Sequence, residues 1–294
     1  MMKNELPIYS INKFDIINSN NDGDFYTNFL NTHIKNNNFT NFPHKHDFFL
    51  VILFTKGEGY HEVDFEKYNL EKGSIFVLKP GQMHYWELSD DADGYIFFHS
   101  KEFFDKDFFS LSIKDFHFYN SFQGSPCFKL ENNQFKIIKI IMNELIKEYS
   151  NNNLFKWRKI HSLIFLIYIE ISRVKSPLGN IKNQTYLTKL KMFEDLIELN
   201  FKTEKFVKEY ALKLNITEKH LNRVTKSCIG KTSTQLISER IILEAKRMLI
   251  YSKSNVTQIS EALGYYDNSY FVRFLKKNVG MTPLNFSAKY KVIN

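Results

Sequence analysis

The sequence predicts a multidomain α+β protein, with a β-rich N-terminal barrel and trailing helices, then an all-α C-terminal part. Three observations carry this. Residues 44–100 hold short apolar runs punctuated by Gly and Pro, the pattern of antiparallel strands joined by tight turns. From residue 132 onward apolar residues recur at helical spacing. Near the C-terminus a unit is written twice: Arg223, Lys226, Gly230 and Thr232 return 50 positions later as Arg273, Lys276, Gly280 and Thr282. Such a repeat marks a duplicated structural unit, and two copies are too few for a solenoid. At 294 residues and 43% apolar content the chain is long enough for two cores.

Taken in order, Phe48–Phe54 is an apolar run of strand length, and Gly57-Glu58-Gly59 turns the chain. Strands are predicted at Tyr60–Phe65, Ser74–Leu78, His84–Leu88 and Tyr95–His99, separated by Gly73, Pro80-Gly81 and Asp90–Gly94. Strands of this length and spacing form a small antiparallel barrel or sandwich. Ile137, Ile138, Ile141, Leu145, Ile146 and Tyr149 then line one helix. Asn151-Asn152-Asn153 breaks it, and Leu154–Val174 is a second helix. The pair caps the barrel or forms a dimer seam; the spacing fits both. Lys175-Ser176-Pro177-Leu178-Gly179-Asn180 is Pro-, Gly- and polar-rich and reads as a linker. The predicted domains are therefore 1–174 and 187–294, with a linker at 175–186.

Each repeated module reads as a short helix, a tight turn and a second, basic helix. In the first, Lys205–Leu214 is a helix with Phe206, Val207, Tyr210, Ala211 and Leu214 on its apolar side. Asn215 tolerates the left-handed turn, and Thr217 caps a helix over Glu218–Cys228. In the second, Asn255 caps Val256–Leu263, Gly264 ends it, and Asp267 caps Asn268–Val279. This is the helix-turn-helix arrangement, whose second helix enters the major groove of DNA. Lys219, Asn222, Arg223 and Lys226 share one face of the first basic helix, opposite Leu221, Val224 and Cys228. Asn268 or Ser269, with Val272, Arg273 and Lys276, share the corresponding face of the second, with Tyr270, Phe271 and Phe274 directed to the core. Arg pairs bidentately with guanine and Asn with adenine, whereas Lys more often meets phosphate. Thr234–Tyr251 is a long connecting helix of roughly 25 Å at 1.5 Å per residue, a span suited to holding two helices in successive grooves.

Charge supports an anionic partner for the same part. Residues 187–294 hold 19 Lys+Arg against 10 Asp+Glu, net +9, and the remaining residues hold 21 against 22. The N-terminus lacks the apolar core of a signal peptide, and Leu163–Ile169 is too short to span a bilayer, which takes about 20 residues. The two cysteines, Cys127 and Cys228, have neither disulfide nor metal-ligand spacing. A cytoplasmic, membrane-free location with reduced thiols follows as the expectation.

At the second module the chain resembles the AraC/XylS family of bacterial transcription regulators. The resemblance rests on Ile259-Ser260-Glu261-Ala262-Leu263-Gly264-Tyr265, Ser269-Tyr270-Phe271, Arg273, Phe274-Leu275-Lys276-Lys277 and Gly280-Met281-Thr282-Pro283, and covers about residues 188–291. It implies that Lys219, Asn222 and Arg223, and in the second helix Asn268, Ser269 and Arg273, occupy base-reading positions. Three residues depart from the family pattern: Tyr266 stands where a small capping residue is usual, Thr225 replaces a customary aromatic, and Phe286-Ser287 replaces Tyr-Arg.

In the N-terminal part, His44-Lys45-His46, Gly73, Pro80-Gly81 and His84-Tyr85-Trp86 resemble the cupin barrel, the sensor domain of the metabolite-responsive branch. Alternation along a strand places His44 with His46, and His84 with Trp86. Three imidazoles suit a divalent metal, but Phe48-Phe49-Leu50-Val51 fills the stretch where metal-binding cupins carry a Glu; the next Glu is Glu58. His44, His46, His84 and Trp86 are therefore read as ligand-lining, with no metal, cofactor or catalytic residue; hydrogen-bonded structural histidines are the competing reading. The sequence describes a one-component regulator: promoter DNA bound by the C-terminal part, a small-molecule effector in the barrel, a homodimer, and RNA polymerase as a further partner if it activates. Two alternatives stand beside it, a metal-dependent cupin enzyme fused to a DNA-binding domain and a regulator controlled by a protein partner.

Overall fold

The computed structural model describes residues 7–14, 24–37, 42–105, 112–113, 116–120, 125–174 and 184–291. The chain divides into two compact units, Pro7–Ser176 and a helical unit from Pro177 onward. Lys175–Asn180, the heart of the expected linker, lies outside the described residues. The last part of the expected linker, residues 184–186, is already helical.

The first unit opens with β1 (Ile8–Tyr9), β2 (Phe25–Phe29), α1 (Leu30–Asn36) and β3 (Lys45–His46). Then come β4 (Phe49–Lys56), β5 (Gly59–Val63), β6 (Glu66–Asn69), β7 (Ser74–Leu78), β8 (His84–Leu88) and β9 (Asp93–His99). Short helices α2 (Lys101–Asp105) and α3 (His117–Asn120) lead to β10 (Cys127–Lys129), and two long helices follow, α4 (Asn132–Ser150) and α5 (Lys156–Arg173). The strands form a five-stranded sheet in the order β10-β7-β4-β9-β2 and a three-stranded sheet β6-β5-β8, while β3 pairs with β1.

The uninterrupted apolar run of β4 has a direct cause: both of its faces are buried. Phe49, Val51 and Leu53 join a core shared with Ile138, Leu145, Ile160, Ile164 and Ile171 of the long helices. Leu50, Ile52 and Phe54 face the other way, into a core with Phe48, Phe76, Trp86 and Phe98. Burying such a side chain fully is worth about 1.5–3 kcal/mol. Polar contacts fix where α5 docks on the sheet. His99 Nδ1–H donates to the Ser100 carbonyl at 2.7 Å, leaving Nε2 to accept from the Tyr168 hydroxyl at 2.6 Å, which lies 2.9 Å from the Tyr119 hydroxyl.

Two strand predictions needed correction. Phe65 is not in a strand: Asp64 (φ 49°) and Phe65 (φ 74°) form the two-residue hairpin turn between β5 and β6, in the left-handed geometry that hairpin twist demands. β9 starts at Asp93, because Asp93 pairs with Lys56 across the ladder.

The helical unit contains α6 (Gln184–Asn200), α7 (Val207–Lys213), α8 (Glu218–Ile229), α9 (Ser233–Tyr251), α10 (Val256–Ala262), α11 (Asn268–Val279) and α12 (Pro283–Lys291). Arg240 of α9 donates to Glu198 at 2.9 Å and Glu244 at 3.1 Å, with its guanidinium 3.9 Å from the Phe201 ring centroid, tying α9 to α6. Phe206 is not on the apolar side of α7. It is the N-cap and is 69% exposed, because its N–H is held by the Glu209 carboxylate at 3.0 Å and the helix begins one residue later. Among the described residues no helix is long and apolar enough to cross a membrane.

Candidate nucleic-acid interface and barrel interior

Local chemistry sets both basic helices. The Thr217 hydroxyl accepts from His220 N–H at 3.1 Å to start α8, and Gly230 ends it at φ 71°. The Asp267 carboxylate accepts from Ser269 N–H at 2.8 Å to start α11, and Gly280 ends it at φ 81°. The turns use the residues expected, Asn215 at φ 52° and Gly264 at φ 76°. Gly264 has a second reason: a Cβ there would lie 1.8 Å from the Lys202 carbonyl oxygen. The turn of the second module thus rests directly on the chain ahead of the first, and Lys205 Nζ lies 5.3 Å from the Tyr265 ring centroid at the same junction. Burial lowers the Lys205 ammonium to a pKa of about 8.

On α8, Leu221, Val224, Thr225 and Cys228 are buried, while Lys219, Arg223 and Lys226 are exposed. These three and Asn222 line a shallow pocket with Thr232 and Thr234. Arg223 Nη2 lies 3.2 Å from His220 Nδ1. Asn222 is half-buried, and its Oδ1 accepts from the Ser233 backbone N–H at 3.0 Å. On α11, Phe271 and Leu275 are buried and Ser269, Arg273 and Lys276 are exposed. Arg273 Nη2 lies 3.8 Å from Asp267. Asn268 donates through Nδ2 to Thr257 Oγ1 at 3.3 Å. Tyr270 is not a core residue. It is 54% exposed, because it lies one position before Phe271 and is turned about 100° away from the buried Phe271–Leu275 edge. With Phe206 and Tyr266 it borders a groove between the two modules.

In the barrel, His44, His46, His84 and Trp86 are brought together and are at most 3% exposed. Backbone hydrogen bonds at 3.1 and 3.0 Å join His44 to His84. A fourth imidazole, His61, belongs to the same set, and the sequence reading missed it. It lies on β5 opposite Trp86 of β8, a neighbour made by long-range pairing. His84 Nε2 is 2.9 Å from His46 Nε2, and His84 Nδ1 is 2.8 Å from His61 Nε2. His46 Nδ1 lies 3.1 Å from the Phe48 carbonyl.

A carbonyl only accepts, so the protons of this row are determined. His46 donates from Nδ1 to Phe48 and accepts at Nε2 from His84. His84 in turn accepts at Nδ1 from His61. That leaves the His61 Nδ1 lone pair, which is buried without a hydrogen-bond partner. All members are held neutral. Burial, then the neighbouring imidazoles, lowers His46 and His61 to about 3. Burial lowers His44 to about 4 and His84 well below the ordinary value. The carboxylates nearby are engaged elsewhere or exposed: Glu62 accepts from the Tyr85 hydroxyl at 2.9 Å, and Glu58 is exposed. Among the described residues no group of three or more His, Cys, Asp or Glu side chains is arranged to hold a metal ion.

A β-barrel unit whose strand β4 is buried on both faces, followed by a helical unit with two capped helix-turn-helices, is the architecture of a DNA-binding transcription regulator. The profile of the AraC-like ligand binding domain matches residues 32–112, and that of a helix-turn-helix domain matches residues 210–289. An uncharacterized HTH-type transcriptional regulator of Bacillus subtilis, YfiF, is 24% identical over 271 residues, 87% of this chain and 81% of its own. The lactose operon transcription activator of Staphylococcus xylosus is 22% identical over 247 residues, covering 82% and 84%. Among solved structures, ToxT from Vibrio cholerae is 13% identical with a TM-score of 0.42, covering 90% of this chain and 98% of its own. The chain belongs to the AraC family of transcription regulators, with an N-terminal ligand-binding domain and a C-terminal helix-turn-helix domain.

Proposed function

We propose that the helical unit reads promoter DNA through α8 and α11, placed in successive major grooves, and that the barrel unit controls this binding through a small-molecule effector. Arg223, Arg273, Lys219, Asn268 and Ser269 contact base edges, while Lys226 and Lys276 contact phosphate. The observation that carries the reading is the pair of exposed basic faces on two capped helices, within a part of the chain carrying net +9. At 1.5 Å per residue α9 is roughly 28 Å long, comparable to the ~34 Å repeat of the duplex. The effector meets the barrel near His44, His46, His84 and Trp86. The protein acts in the cytoplasm as a homodimer, without catalysis, and meets RNA polymerase if it activates. Effector control requires an effector that binds two conformations unequally.

The test is binding of duplex DNA by residues 184–294 across salt concentrations. Affinity should fall by orders of magnitude between roughly 50 and 200 mM salt if several phosphates are neutralised. No binding at low salt, or binding indifferent to salt, refutes the reading.

A further inference from the structure

Asn222 lies in the middle of the basic face of α8, yet its side chain is committed inward. Its Oδ1 accepts from the N–H of Ser233, the first residue of α9, at 3.0 Å. Thr225, three residues on, donates from Oγ1 to the Asn222 carbonyl at 3.1 Å and lies 3.3 Å from Ser233 Oγ. Thr225 and Ser233 are both 0% exposed. Asn222 thus belongs to a small polar junction between the two helices, with the buried hydroxyls of Thr225 and Ser233.

Two chemical consequences follow. Bidentate pairing with adenine needs the carboxamide oxygen to accept while the nitrogen donates, and here one lone pair of the oxygen is held by the Ser233 N–H, which fixes its direction toward α9. Releasing it would also strip a partner from a helix N-terminal N–H, which has no intrahelical acceptor. The next donors are already satisfied locally: Thr232 N–H is held by Gln235 Oε1 at 2.7 Å, and Gln235 N–H by Thr232 Oγ1 at 3.2 Å. An unmatched buried donor costs more than an ordinary hydrogen bond returns.

We propose that Asn222 is a positioning residue: by capping α9 it fixes the roll of α8 against α9, and so the aim of Arg223, the next residue on the basic face. The inference rests on α8 being a recognition helix. It assigns Asn222 a different role from base reading, with Arg223 as the group it acts through.

The experiment uses the full chain and a duplex enriched from a random library by the wild-type protein, with every single base-pair variant in competition. Asn222→Ala, Asn222→Asp, Arg223→Ala and the double variant Asn222→Ala/Arg223→Ala are compared. Asp keeps the acceptor and adds a charge that a helix N-terminus favours. Amide exchange at Ser233 in the DNA-free protein reads the cap by itself. Arg223→Ala should relax one base pair by roughly 5- to 150-fold. Asn222→Ala should relax that same pair by at least about 3-fold, as loss of one hydrogen bond allows, and speed Ser233 exchange; the double variant should relax it no further than Arg223→Ala. Asn222→Asp should keep both the preference and the slow exchange, while its charge weakens all duplexes alike. If Asn222→Ala and Asn222→Asp both relax a pair that Arg223→Ala leaves intact, Asn222 reads that pair and the proposal fails. It fails equally if Asn222→Ala leaves Ser233 exchange or the Arg223 pair unchanged. Wild-type binding by Arg223→Ala would instead remove the recognition-helix reading itself, and the positioning role with it.

Discussion

Single side chains divide the proposed interface into groups that specify and groups that hold. Arg223 and Arg273 are exposed, and each has one near neighbour, His220 at 3.2 Å and Asp267 at 3.8 Å. Exposed contacts of this kind are weak, so exchanging them for a base edge costs little. Arg223→Ala and Arg273→Ala should each cost about 1–3 kcal/mol at separate sub-sites about one helical turn apart, measured by competition among base-pair variants. A footprint with one protected groove contradicts the two-module geometry. Lys226→Ala and Lys276→Ala should weaken all sequences alike and lower the slope of log affinity against log salt by about one each. A change of base preference in either variant would show that the lysine reads sequence.

Elements show where one residue sets the geometry of many. Gly264 has positive φ, and its missing Cβ makes room for the Lys202 carbonyl. Gly264→Ala should cost about 1–3 kcal/mol in backbone strain and displace α11. Footprinting should then show loss of the second half-site with the first retained; two intact half-sites would mean the turn does not set the spacing. The element pattern itself was largely legible in the sequence. Thr217, Asn255 and Asp267 stand directly before amphipathic runs, and all three accept the expected backbone hydrogen bonds. β2 escaped notice because Thr27 and Asn28 interrupt its apolar run, and its pairing is with β9, about 70 residues away. The Asp64-Phe65 turn escaped because Phe gives no turn signal. Helical spacing put Asn222 on the basic face, but spacing cannot say which end of a carboxamide is already occupied. The His-Lys-His pattern drew the eye to neighbours in sequence, whereas His61 joins them only through the β5–β8 register.

At the scale of the whole molecule, the two units differ in how they answer to acid. Eight of the nine histidines and both tryptophans, Trp86 and Trp157, precede residue 177. Burial holds His33, His46 and His61 at about 3 and His44 and His99 at about 4. In the unfolded chain they titrate near 6.5. Between these values the unfolded state binds protons that the folded state refuses. The stabilisation is therefore complete above about pH 6.5 and falls as pH drops toward 4, by about 1 kcal/mol per histidine per pH unit. Tryptophan fluorescence should report the barrel unit losing thermal stability steeply from about pH 6 to pH 5. None of these buried imidazoles belongs to the helical unit, so the loss should be confined to the unit that holds both tryptophans. A flat fluorescence midpoint over that interval would contradict the buried, neutral array.

The same row of imidazoles carries an arrow. Every proton in it points from His61 through His84 and His46 to the Phe48 carbonyl, and the tail of the arrow is a bare lone pair. A guest that offers a donor to His61 lengthens the row without disturbing it. A guest that offers only an acceptor must reverse three rings and leave a carbonyl of the barrel wall unanswered. Under the proposed effector reading, this direction favours an effector that donates to His61 over one that only accepts.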